Sequence, residues 1–135
     1  MRYLLDTNAC IQNLRKKGNP LVKLRLAAHS ASEIALCTIV TGELRHGARV
    51  SADPTGNLTD VESFVGKFAV LPFDEPASAL YAGIRADLES RGETIGQLDT
   101  MIAAVALAVG LTLVTHNTAE FSRVDGLNIV DWEIP

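Results

Sequence analysis

The apolar run Tyr3, Leu4, Leu5 stops at Asp6, and Thr7 and Asn8 follow before apolar character resumes at Ala9. An acid, a hydroxyl and an amide at the end of a buried segment need a physical reason. A second acid, Asp99, is the only charged residue in the 22 positions 94–115, and it opens the nearly all-apolar stretch LDTMIAAVALAVG. Bringing a carboxylate into such surroundings costs several kcal/mol unless it is capped, paired or bound to a cation. A third acid, Glu43, stands in TIVTGELRHGARV. Each has an ordinary explanation: Asp6 and Asp99 as helix N-caps, worth about 1 kcal/mol each, and Glu43 as a first-turn acid favoured by the helix dipole.

The elements that must position these acids give the three a common setting. Short strands rich in β-branched residues or leucine are expected at 3–5, 34–39, 69–72, 112–115 and 128–130. Between them run helical patterns. LVKLRLAA places Leu21, Leu24 and Ala28 on one face, and ASALYAGIRADLESRG places Leu80, Ile84 and Leu88 at four-residue steps before a stop at Gly92. SADPTGN, residues 51–57, reads as a turn joining two helices. Strands alternating with helices imply an α/β fold with a parallel sheet. In such sheets functional groups gather beyond the carboxyl ends of the strands. Asp6 follows the first strand, Glu43 lies early in the helix after the second, and Asn117 follows the fourth.

No capping or dipole argument predicts acids recurring at neighbouring carboxyl ends of one sheet. Were the three carboxylates to converge to about 4–6 Å, each close pair would repel by roughly 1 kcal/mol in water and by about 4 kcal/mol at an effective dielectric near 20. A cation removes that penalty. All-oxygen ligands select a hard divalent ion, Mg²⁺ with Mn²⁺ as a substitute, and no Cys/His spacing supports zinc. Such an ion lowers the pKa of a bound water and neutralises phosphoryl charge, which suits hydrolysis of a phosphodiester. Thr7, Asn8 and Thr115 are then read as groups that fix the carboxylates. His116 adjoins the site, but with a metal present no imidazole base is required.

Composition sets the limits. The 135 residues, 47% hydrophobic, suffice for one domain, 1–135. The net charge of −4 argues against indiscriminate nucleic-acid binding, yet its distribution is uneven. Residues 7–52 carry seven basic against two acidic side chains, whereas residues 53–135 carry four against thirteen. Arg15, Lys16, Lys17, Lys23 and Arg25 are therefore candidate phosphate contacts, with a solvated helix face as the competing reading. Cys10 and Cys37 sit in apolar runs, which suits buried thiols in a reducing cytoplasm. Neither an export signal nor a spanning helix is expected, the longest uncharged apolar stretch being 16 residues, 100–115.

The segments LLDTNACI, GETIGQLDTMIAA, LVTHNTAEFSRV and the closing VDW, with the Glu43 helix between the first two, resemble the PIN-domain ribonucleases, and within them the VapC toxins of type II toxin–antitoxin pairs. The likeness spans nearly the whole chain. It implies a single PIN-like domain with a five-stranded parallel sheet flanked by helices on both faces. It also implies Mg²⁺-dependent RNA cleavage leaving 5′-phosphate and 3′-hydroxyl ends, a homodimer, and inhibition by a cognate VapB-type antitoxin. Metal ligation then falls to Asp6 and Asp99, with Glu43 completing the cluster. The departure is Asn117, where many relatives place a fourth acid. Glu120 is the alternative supplier, since a T-x-N-T-x-E-F form occurs in a subgroup associated with initiator-tRNA cleavage, and its competing reading is an ordinary surface acid beside the core residue Phe121. Two other classes stay open: a catalytically weak PIN-like module that works by binding a partner, and a small-molecule phosphate binder. The second lacks any G-x-G-x-x-G or Walker-type loop.

Overall fold

The computed structural model describes all 135 residues. Five strands form one parallel sheet: β1 (Tyr3–Leu5), β2 (Ile34–Cys37), β3 (Ala69–Leu71), β4 (Thr112–Val114) and β5 (Ile129–Val130), in the order β3-β2-β1-β4-β5. Around it run α1 (Thr7–Leu14), α2 (Pro20–Ala28), α3 (Thr38–Arg49), α4 (Pro54–Val65), α5 (Glu75–Ser90), α6 (Gln97–Val109) and the single turn α7 (Thr118–Phe121). The strands match the sequence expectation to within two residues. β2 is shorter than 34–39 because α3 starts at Thr38.

The three inner strands carry the core. Leu4, Leu5, Ile34, Ala35, Leu36, Cys37, Leu113 and Val114 are at most 1% exposed. Continuous apolar runs are what parallel strands covered on both faces require. The edge strands are short and more open, as edges that avoid pairing with other chains tend to be. The chain runs from β1 outward through β2 and β3, then returns to β4 on the other side of β1. The carboxyl ends of β1 and β4 therefore flank the point where connections diverge, the crevice in which open α/β sheets place ligands.

α6 is the helix that composition marked as buried. Thr100 and Ile102 through Ala106 are all at most 3% exposed. It ends at Gly110, whose φ of 70° lies in the left-handed region that glycine enters without a Cβ clash, and the Leu111 N–H closes the end on the Ala106 carbonyl at 3.0 Å.

Two helix faces differ from the periodicity reading. In α2 the buried residues are Val22 and Leu26, while Leu24 is 67% exposed. Asn19 caps this helix by accepting from Leu21 and Val22; with apolar residues spread around the helix, the periodicity alone does not single out the buried face. In α5 the anchors are Ala77 and Leu88, and Leu80 is 39% exposed. The 51–57 segment does join two helices, but α4 begins inside it, with Asp53 as cap and Pro54 in its first turn.

Candidate functional site

Asp6 takes the first position after β1 and is 6% exposed. Its Oδ1 accepts the Ala9 N–H at 2.8 Å, so it caps α1. Capping uses one oxygen and leaves the carboxylate free for a second role. Burial pushes its pKa from 3.8 to about 6, opposed by hydrogen bonds from the Thr115 hydroxyl and the Ala9 N–H and assisted by the charges of Asp99 and Glu133. Thr115 is 1% exposed. Its hydroxyl donates to Asp6 and accepts the Asn117 N–H at 3.0 Å, so one side chain ties the β1 exit to the β4 exit.

Glu43 lies in the second turn of α3, past the first-turn positions where the helix dipole favours an acid. It is fixed instead by Thr7, whose Oγ1 donates to Glu43 Oε1 at 2.6 Å across 36 residues. Asp99 is the third residue of α6, and the N-cap is Gly96, so the capping explanation fails for Asp99. Its carboxyl pKa is raised by partial burial and by the charges of Glu43 and Glu120. Asp6 couples to Asp99, and Asp99 to Glu43 and Glu120. None of these four acids forms an ion pair with a lysine or arginine. They form one electrostatically coupled group, yet Asp6, Glu43 and Asp99 are not among the trios whose ligand atoms all lie within 4.8 Å of one another.

The two residues that the sequence offers for a fourth ligand, Asn117 and Glu120, are hydrogen-bonded to each other. Asn117 sits at the start of α7, and its amide donates to Glu120 Oε2 at 2.9 Å. The charge on Glu120 contributes to raising the pKa of Asp99, which places the two acids near each other. Phe121 beside it is core, at 1% exposed.

Other residues singled out in the sequence sit elsewhere. Asn8 holds none of the three carboxylates, because its amide donates to Glu133 at 3.3 Å and its carbonyl accepts from Gln12. Lys23 caps the end of α1 through the Asn13 carbonyl at 2.8 Å. Arg25 donates to the Asp131 and Ile134 carbonyls and clamps the C-terminal segment. These two cations are thus committed to the backbone. Arg15, Lys16 and Lys17 are exposed, and Arg15 and Lys16 line a groove of about 560 Å³ with Glu43 on its wall. A second hollow of about 450 Å³ brings Thr7, Glu43, His46 and Leu98 together. Cys10 and Cys37 are buried free thiols, and burial raises the pKa of both.

Sequence reasoning missed Glu133 as a neighbour of Asp6. The only clue was the closing aromatic. Trp132 is 5% exposed, stacks on His29 at 5.5 Å and meets Tyr3 edge-on, and so draws Asp131 and Glu133 toward the β1 exit.

Against known proteins, the PIN-domain family model matches residues 3–127. The chain is 37% identical to the tRNA(fMet)-specific endonuclease VapC of Shigella flexneri over 132 residues, 98% of each protein. It is 35% identical to toxin FitB of Neisseria gonorrhoeae over 130 residues, 90% of this chain and 92% of that one. Among solved structures, DNA-bound VapBC from Salmonella typhimurium superposes with a TM-score of 0.91 at 36% identity, covering 98% of both chains. With a whole-length match in sequence and in fold, this chain belongs to the PIN-domain family, in its VapC branch.

Proposed function

We propose that the protein is a metal-dependent endoribonuclease, the toxin of a VapBC-type pair, whose substrate is a tRNA, with initiator tRNA first among them. The observation that supports this reading is that Asp6 after β1, Asp99 in the first turn of α6, Glu43 on α3 and Glu120 after β4 act on one another electrostatically with no lysine or arginine paired to them, and that burial raises the pKa of Asp6 to about 6. The named tRNA(fMet) endonucleases, similar over 98% of their length, support the substrate class.

The donor set fits a hard divalent cation, because it consists of carboxylate oxygens whose mutual repulsion a positive ion relieves. Asp6 and Asp99 would hold Mg²⁺, Glu43 would bind it through water or orient the nucleophile, and Glu120 or the Asn117 carbonyl would supply a further oxygen. Mn²⁺ is a workable substitute. When bound, the ion lowers the pKa of a water and neutralises charge on the scissile phosphate.

The chain supplies the remaining parts. Thr7 holds the Glu43 carboxylate in one orientation, and Thr115 does so for Asp6. Arg15 and Lys16 in the Glu43 groove, with the exposed Lys17 next in the chain, would contact RNA phosphates, which confers affinity without base choice. Hydrolytic attack leaves a 5′-phosphate and a 3′-hydroxyl. A VapB-type antitoxin as partner is supported by the solved VapBC and FitAB complexes that share the fold at 30% identity or more. A homodimer is part of the same proposal, and Leu80 on α5 and Val70 on β3 leave apolar surface exposed for it.

The test is cleavage of total tRNA by antitoxin-free protein with Mg²⁺, comparing Asp6→Asn and Asp99→Asn. Wild-type cleavage with both variants silent supports the assignment. Equal cleavage by the variants removes this site. A folded wild-type protein that cuts nothing would put partner binding ahead.

A further inference from the structure

A second group of potential ligands lies beside the acid cluster and has no part in the chemistry proposed for it. His116, just past β4, and Asp131 and Glu133 of the C-terminal segment bring three ligand atoms within 4.8 Å of one another. His116 Nδ1 stands 2.9 Å from Asp131 Oδ2 and 3.6 Å from Glu133 Oε2. Around an ion with bonds of about 2.0–2.2 Å, neighbouring ligand atoms are about 2.9 Å apart in an octahedron and about 3.4 Å apart in a tetrahedron. The first separation is that of an N–H···O hydrogen bond and also of an octahedral edge, and the second is slightly longer than a tetrahedral edge.

The carboxylates are also held from behind, as metal ligands characteristically are. Asp131 is only 10% exposed at its side chain, and its Oδ1 accepts the Glu133 N–H at 2.9 Å, which leaves Oδ2 directed at the imidazole. Glu133 accepts from Asn8 through one oxygen and from Asn19 through the other. No lysine or arginine pairs with either carboxylate. The nearby Arg25 guanidinium is turned to backbone carbonyls instead. The imidazole is the one cationic partner of the two carboxylates, which raise its pKa, chiefly through the hydrogen bond to Asp131; a metal would take the place of the Nδ1 proton, at a ring nitrogen that Mg²⁺ does not favour but Zn²⁺ does.

We propose that His116, Asp131 and Glu133 form a binding site for a first-row divalent cation of the Zn²⁺ class, distinct from the Asp6–Asp99 centre. The ion would take Nδ1 of the neutral ring, with the ring proton on Nε2. It would fasten the C-terminal segment to the β4–α7 connection, and so to the Asn117 turn. The remaining positions are open to water, since the His116 side chain is 57% exposed.

The test is titration with Zn²⁺ alone, by calorimetry, of the full chain carrying Asp6→Asn and Asp99→Asn, so that the nuclease centre does not compete. One Zn²⁺ per chain is expected, with affinity falling at least tenfold when His116→Ala or Glu133→Gln is added and with no change in the circular dichroism spectrum. A Zn²⁺-soaked crystal of the wild-type protein should show an anomalous peak among the three side chains. Unchanged affinity in His116→Ala, or a peak found only elsewhere, overturns the proposal. Because the nuclease centre is silenced, failure here leaves the ribonuclease reading intact, and failure of that reading leaves this one standing.

Discussion

Replacing Asp6 with asparagine should make the metal-free protein more stable while abolishing its chemistry. The carboxyl pKa is raised from 3.8 to about 6, chiefly by burial. The folded state therefore binds a proton more tightly than the unfolded chain does. Where the unfolded state holds fewer protons, stability falls with rising pH. The contribution is fully present below pH 3.8, is lost between there and about 6, and stays lost above. A shift of roughly two units at about 1.4 kcal/mol per unit amounts to about 3 kcal/mol of destabilisation by the ionised group near neutral pH. Asparagine is neutral and caps helices about as well as aspartate, so the hydrogen bond from Ala9 survives the change. For a chain of this size about 3 kcal/mol corresponds to roughly 10 °C in Tm. Thermal unfolding in EDTA, followed by circular dichroism, should show Asp6→Asn melting above wild type at about pH 8, with the two curves converging at about pH 4. Saturating Mg²⁺ should raise the wild-type Tm and leave the variant's nearly unchanged. An Asp6→Asn protein no more stable than wild type at alkaline pH, or a difference independent of pH, would refute the reasoning.

Removing the hydroxyl with Thr7→Val frees Glu43 from its 2.6 Å hydrogen bond and should raise the Mg²⁺ concentration for half-maximal cleavage by roughly 10–100-fold, with activity recovered at high Mg²⁺. Replacing Arg15 and Lys16 by alanine should flatten the dependence of RNA affinity on salt. For single-stranded RNA the slope of log K against log[salt] should become shallower by about 0.7 for each phosphate no longer neutralised, as filter binding across a salt series would reveal. Arg25→Ala should release the C-terminal segment, read as faster carboxypeptidase trimming past Ile134, because the guanidinium no longer donates to the Asp131 and Ile134 carbonyls.

Legibility in the sequence followed the range of the interaction. The inner strands were readable because burial on both faces leaves an apolar run that needs no partner to identify it. Asp99 was readable because a lone charge in 22 residues is costly wherever the chain folds. The boundary at Thr38 was not, since the β-branched residues at 38–40 serve a strand or a helix equally well. Leu24 was misplaced because the apolar positions of α2 do not define one face, and the structure buries Val22 and Leu26 instead. Charge sign was legible for Lys23 and Arg25 but partnership was not, as their carbonyl acceptors lie 10 and more than 100 residues away. The same holds for Asn8 and Glu133, which meet across 125 residues only because β5 returns beside β4 and Trp132 seats the chain end near Tyr3.

The most direct measurement is a crystal of the wild-type protein soaked in Mn²⁺, with anomalous scattering used to locate the ion. Manganese bonded to carboxylate oxygens of both Asp6 and Asp99, with Glu43 facing it directly or through one water, is the expected result. Manganese that occupies other sites while none lies between Asp6 and Asp99 would contradict a shared cation pocket at the carboxyl end of this sheet.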